Sequence, residues 1–115
     1  EDLMDFDIVL VTGIANPIPL VQYLENNNNR IVQIQFADHH NYSKSDFNKI
    51  IDTFNSLDSS KKIILTTEKD LQRFDLAVFD QLPLFYIPIQ LQSADQQQLT
   101  FDHFIDSYLQ SVNQH

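Results

Sequence analysis

Short apolar, β-branched runs alternate with stretches of helical periodicity along this chain, and that alternation is what most limits its fold. Asp7 to Thr12 reads Asp-Ile-Val-Leu-Val-Thr, a run of the kind that makes a strand buried on both faces. It leads into Gly13-Ile14-Ala15-Asn16-Pro17, where Asn16 can cap a helix that carries Pro17 and Pro19 in its first turn, the place where a missing N–H costs least. Leu20, Val21 and Leu24 share one side of that helix, and Asn26 to Asn29 should end it. Ile31 to Phe36 predicts a second strand. Ser43 to Leu57 is the clearest helix: Ser43 and Asp46 resemble a capping box, with Asp in place of Glu or Gln, and Phe47, Ile50, Ile51, Phe54 and Leu57 recur at helical spacing. Ile63 to Leu65 predicts a third strand and Lys69 to Phe74 a short helix. A fourth strand over Leu84 to Leu91 contains Pro88 and so belongs at a sheet edge. Ser93 to Gln98 is polar, and Phe101 to Val112 repeats apolar residues as a last helix would.

This rhythm predicts a single α/β domain over residues 1–115: a three-layer α/β/α structure around a small, mostly parallel sheet of about four strands. Right-handed crossovers bring the ends of successive strands to one rim, and open parallel sheets bind ligands at that rim. Three polar clusters should gather there: Thr12 to Asn16, Asp38 to His40, and Thr66 to Asp70.

Composition removes several functions. A 43% hydrophobic content over 115 residues supports a real core, and the absence of cysteine excludes disulfides and thiolate metal sites. No apolar run approaches the roughly 20 residues of a membrane span. A formal charge of -9 is the opposite of what a free-standing nucleic-acid or anionic-membrane binder carries. Gly13 is the one glycine, so neither a P-loop nor a dinucleotide fingerprint can be built from this chain. The chain starts at Glu1 and not at Met, and it is expected to be a piece of something longer.

Asp38-His39-His40 is the sharpest feature. An imidazole exchanges a proton near neutral pH, and a neighbouring carboxylate fixes its tautomer and strengthens its basicity. The same three residues can also ligate a divalent metal, or simply form a polar strand-to-helix turn with solvated histidines. In Thr66-Thr67-Glu68-Lys69-Asp70, hydroxyls, a lysine and carboxylates at a helix start can contact phosphate or a sugar hydroxyl. Thr67 as N-cap, acidic residues favourable to the helix dipole, and a solvated Lys69 explain the same run without a ligand.

Taken in order, Gly13-Ile14-Ala15-Asn16-Pro17, Phe36-Ala37-Asp38-His39-His40 and Leu65-Thr66-Thr67-Glu68-Lys69-Asp70 resemble the C-terminal part of the tetraacyldisaccharide 4'-kinase family, the lipid A kinases, over nearly the whole chain. The resemblance implies a C-terminal fragment of a two-domain kinase, lacking its N-terminal P-loop domain. That family transfers the γ-phosphate of ATP, with Mg2+, to the 4'-hydroxyl of a tetraacyldisaccharide 1-phosphate at the cytoplasmic face of the bacterial inner membrane. It implies His39 as the group that activates the sugar hydroxyl together with an aspartate of the other domain, Asp38 orienting it and His40 supporting it. Thr67, Glu68, Lys69 and Asp70 become candidate substrate or phosphate contacts, and Gly13 and Asn16 form the turn at the cleft. ATP and Mg2+ would be held mainly by the N-terminal domain, no metal is assigned to this chain, and the isolated soluble fragment is expected to be inactive. The partners implied are that P-loop domain, the lipid A disaccharide precursor and the inner-membrane surface, with no nucleic acid. Two other classes remain open: a two-metal phosphoesterase with an Asp-His-His site, against which Asp5 and Asp7 stand at the wrong end of their strand, and a non-catalytic ligand- or protein-binding module.

Overall fold

The apolar run Asp7–Thr12 forms β1, and every one of its residues is buried, as a central strand covered on both faces requires. A computed structural model describes residues 5–26, 29–87 and 110–111. The elements follow in the order β1, α1 (Ile18–Asn26), β2 (Arg30–Gln35), α2 (Lys44–Ser56), β3 (Lys62–Thr67), α3 (Glu68–Leu71), a 3-10 turn (Leu76–Phe79), β4 (Leu84–Ile87) and β5 (Gln110–Ser111). The sheet order is β2-β1-β3-β4-β5, with β1 to β4 parallel and β5 antiparallel to β4.

Alternation along β1 divides the core into two layers. Ile8 and Leu10 pack with Leu20, Tyr23 and Leu24 of α1, together with Ile63, Leu65 and Ile87. Val9 and Val11 face the other way, against Phe47, Ile50 and Phe54 of α2 and against Phe74 and Phe79. The small parallel sheet is therefore sandwiched between helical layers, as an α/β/α arrangement demands. The chain moves from β1 outward to β2 by way of α1, then returns past β1 to β3 by way of α2. Two right-handed crossovers in opposite directions use opposite faces of the sheet, which opens a crevice between the carboxyl ends of β1 and β3.

Two expectations need correction. Residues 110–111, which helical periodicity placed in a last helix, are a short strand paired with Phe85 and Tyr86; the rest of that stretch, Phe101 to Leu109 and Val112, lies outside the described residues. Because β5 pairs with it, β4 is flanked on both sides, and among the described residues the edge strands are β2 and β5. Pro88, the reason for expecting an edge, also lies outside the described residues, as does the polar stretch 93–98.

The helix before β3 starts as its sequence dictates. Ser43 is the N-cap of α2, its Oγ accepting the Asp46 N–H at 3.1 Å while the Asp46 carboxylate takes the Ser43 N–H at 2.9 Å. Those backbone bonds first, and the His40 imidazole second, hold the Asp46 carboxyl below the usual carboxylate range. A depressed folded-state pKa contributes stability that is complete above about pH 4 and is lost as the pH falls through the folded value. Asp46→Asn is accordingly expected to lower stability at pH 7 and to flatten part of the acid limb of a urea-unfolding series against pH. An acid limb unchanged by the substitution would contradict this.

Candidate functional site

The three polar clusters meet at the carboxyl ends of β1, β2 and β3, and Gly13 is where they join. Its N–H lies 3.1 and 3.0 Å from the two carboxylate oxygens of Asp70, 57 residues away, and its carbonyl accepts the His39 N–H at 3.1 Å. Asp70 is almost wholly buried, and it also accepts the Thr67 hydroxyl at 2.6 Å and the Tyr42 hydroxyl at 3.1 Å. A buried carboxylate is tolerable only when donors surround it in this way. Thr67 is the N-cap of α3 and receives the Asp70 N–H at 3.1 Å, so Thr67 and Asp70 together build the wall between the β1 and β3 ends. Glycine is required at position 13 by close approach: a Cβ there would stand 2.8 Å from an Asp70 carboxylate oxygen and 3.1 Å from the Ala37 carbonyl.

The Asp-His-His turn sends its two imidazoles in different directions. His39 has φ 64°, the left-handed region that few non-glycine residues adopt, and its ring is exposed. Its Nε2 lies 3.6 Å from Asp38 Oδ2, and its Nδ1 lies 3.4 Å from an Arg73 guanidinium nitrogen. His40 turns inward. Its ring stacks on Phe36 at 4.4 Å, meets the edge of Tyr42 at 5.0 Å, and reaches Asp46 Oδ2 with Nε2 at 2.8 Å. The tightest imidazole–carboxylate contact in the turn therefore anchors it to the start of α2, while the looser one, Asp38 with His39, faces solvent.

Glu68 is half-buried and Lys69 is exposed on α3. Asn16 is exposed, and its side-chain oxygen accepts the N–H of Ile18, the first residue of α1, at 3.3 Å, one residue outside the cap position that the sequence assigns to it. Two site residues escaped the sequence reading. Tyr42 closes the crevice, and burial, then the Asp70 charge, then its bond to Asp70 raise its phenol well above the ordinary value, so it stays a donor. Arg73 tops the Asp-His-His turn and also reaches the His40 carbonyl at 3.5 Å. Being one of only two arginines in an acidic chain was the available signal.

Asp7 stands at the opposite rim, bonded to Arg30 at 2.7 Å, and so cannot join the histidines in a two-metal site. Among the described residues no group of three His, Cys, Asp or Glu side chains is placed to hold a metal ion.

Fold and site together define an α/β domain that presents an exposed, carboxylate-flanked histidine at the topological switch point of its sheet, where such folds bind ligands. Residues 1–110 match the family model described as Tetraacyldisaccharide-1-P 4'-kinase, and the chain belongs to that family. It is 41% identical over 115 residues to a tetraacyldisaccharide 4'-kinase of Cytophaga hutchinsonii, covering 93% of this chain and 32% of the relative. It is 36% identical over 111 residues to the protein of that name in Bacteroides thetaiotaomicron (93% of this chain, 29% of the relative). A third such kinase, from Phocaeicola vulgatus, is 37% identical over 109 residues, with 91% and 30% covered. The chain thus spans about three-tenths of the length of these curated relatives. No solved structure matches it.

Filling the one close approach tests the geometry at the switch point. Gly13→Ala is expected to force the Asp70 carboxylate off the β1 end and to destabilise the fold by about 1–3 kcal/mol in chemical denaturation. Alanine accepted at this position without loss would show that the Gly13–Asp70 contact is not a constraint.

Proposed function

We propose that this chain is the C-terminal domain of a kinase that transfers the γ-phosphate of ATP to the 4'-hydroxyl of a tetraacyldisaccharide 1-phosphate. The single observation that carries the reading is family membership together with His39, an exposed imidazole beside Asp38 on the ligand rim.

The Gly13 turn does not fit a nucleotide phosphate. Its N–H is already given to the Asp70 carboxylate, whose charge opposes an anion, and a single glycine cannot build a cradle. ATP, Mg2+ and the P-loop are accordingly assigned to an N-terminal domain of the same protein. This chain supplies the far wall of the interdomain cleft, and the lipid A disaccharide precursor is the molecule that enters it. The long protein would work at the cytoplasmic face of the bacterial inner membrane, with its membrane-facing surface supplied by the N-terminal domain. Among the described residues no helix is long and apolar enough to cross a membrane.

On this reading His39 takes the proton from the 4'-hydroxyl, together with an aspartate of the other domain, and Asp38 stabilises the imidazolium that results. His40 braces the turn through Asp46 and the aromatic wall, so that the left-handed backbone at His39 keeps the neighbouring ring outside. Phosphoryl transfer depends chiefly on positioning and on stabilising charge, which a rigid rim suits. Lys69, exposed on α3, is the residue of its run still open to a substrate phosphate, with Glu68 beside it; Thr67 and Asp70 hold the crevice that both stand on.

In the full-length kinase, His39→Ala is expected to lower kcat by about 10²–10⁴, the usual share of a general base, with the fold intact by circular dichroism. The chain by itself should show no ATP-dependent phosphorylation of the disaccharide. A full-length His39→Ala enzyme within about twofold of the parent would contradict the role of the histidine. Turnover by the chain alone would contradict the division of labour.

A further inference from the structure

Arg73 lies just beyond α3, where its N–H closes a turn on the Asp70 carbonyl at 2.9 Å. Its guanidinium reaches across the rim to two points of a single turn: one nitrogen stands 3.4 Å from His39 Nδ1, the other 3.5 Å from the His40 carbonyl. We infer that Arg73 is a positioning residue for His39, fixing both the direction of its ring and the nitrogen that carries the lone pair. The inference rests on the reading of His39 given above.

The chemistry is one-sided. A guanidinium has only donors, so a ring nitrogen in contact with it must accept. Nδ1 therefore holds the lone pair, and the neutral ring carries its proton on Nε2, the nitrogen that faces Asp38 at 3.6 Å. That is the tautomer a base needs when a carboxylate is to stabilise the other side of the imidazolium. The acceptor hydroxyl displaces the guanidinium from Nδ1 and meets a lone pair already turned outward, while Arg73 keeps hold of the turn through the His40 carbonyl. The second arm matters equally. By holding the His40 carbonyl, Arg73 ties the left-handed turn after β2 to the element after β3, across the crevice, and so couples the histidine to the switch-point wall. A lysine cannot do both, because a compact ammonium lacks the planar fork that spans two acceptors.

A double-mutant cycle in the full-length kinase separates this role from a structural one. Arg73→Met is expected to lower kcat by about 10- to 100-fold, as misplacement of a reacting group does, with KM and thermal stability little changed and Arg73→Lys intermediate. Added to His39→Ala, the same substitution should cost nothing further, since a residue that acts only through His39 has nothing left to act on. Two results would overturn the inference: a loss that multiplies fully with that of His39→Ala, or an Arg73→Met enzyme with unchanged kcat beside a crippled His39→Ala enzyme. If neither substitution lowers kcat, the reading of His39 as the base fails as well, and the two failures are told apart by the His39→Ala arm.

Discussion

The rim of this domain is organised by one buried contact, the Asp70 carboxylate on the N–H of Gly13. In an open parallel sheet the ends of the two strands at the switch point diverge, because the segments that follow them leave towards opposite faces. Asp70 bridges that divergence with both oxygens on one amide. It is held by the Thr67 hydroxyl from its own helix start and by Tyr42 from the segment between β2 and α2. Charge-assisted bonds in a dry site are stronger than neutral ones, and the absence of a side chain at position 13 is what lets the carboxylate come so close. One aspartate thus sets the distances among three loops that are far apart in sequence.

This arrangement explains why two adjacent histidines have different chemistry. His40 belongs to the wall: aromatic rings and the capping aspartate of α2 use its ring, so it fixes the turn and is half-buried. His39 gains from that anchoring. Its left-handed backbone directs the ring outward, where Asp38 and Arg73 occupy its two nitrogens and nothing buries it. Strain of this sort persists only where neighbouring structure over-determines it, and such residues concentrate at functional sites. A left-handed histidine whose amide is bonded to Gly13 and whose carbonyl-side neighbour is stacked on Phe36 meets that condition.

Much of the fold was legible because each early element carries a strong local signal. The buried run 7–12, the capping box at Ser43 and the helical stripe from Phe47 to Phe54 all lie where periodicity placed them. Thr66 and Thr67 extend β3 beyond the apolar run, because Thr66 returns its hydroxyl to the Val11 carbonyl at 2.8 Å and Thr67 spends its own on Asp70. Pattern alone does not show such long-range satisfaction of a β-branched polar residue. The 3-10 turn that buries Phe79 was missed for a similar reason, since four residues are too few to display a period. Residues 110–111 show the opposite error: a helical stripe was present, and pairing with β4 overrode it. At the site, the motifs were visible as clusters, whereas the different directions of His39 and His40, and the reach of Arg73 and Tyr42, depend on contacts across more than 25 residues of sequence that only the folded chain supplies.

On the proposed reading, the rim built on Gly13 and Asp70 is the face that meets the acceptor sugar. Hydrogen–deuterium exchange of the full-length kinase, with and without tetraacyldisaccharide 1-phosphate, measures this directly. Added protection is expected at residues 36–43 and 68–73 when the disaccharide binds, with the opposite rim around Asp7, Arg30 and Lys61 unchanged. Protection confined to that opposite rim, or absent from this domain while the substrate is bound, would contradict it.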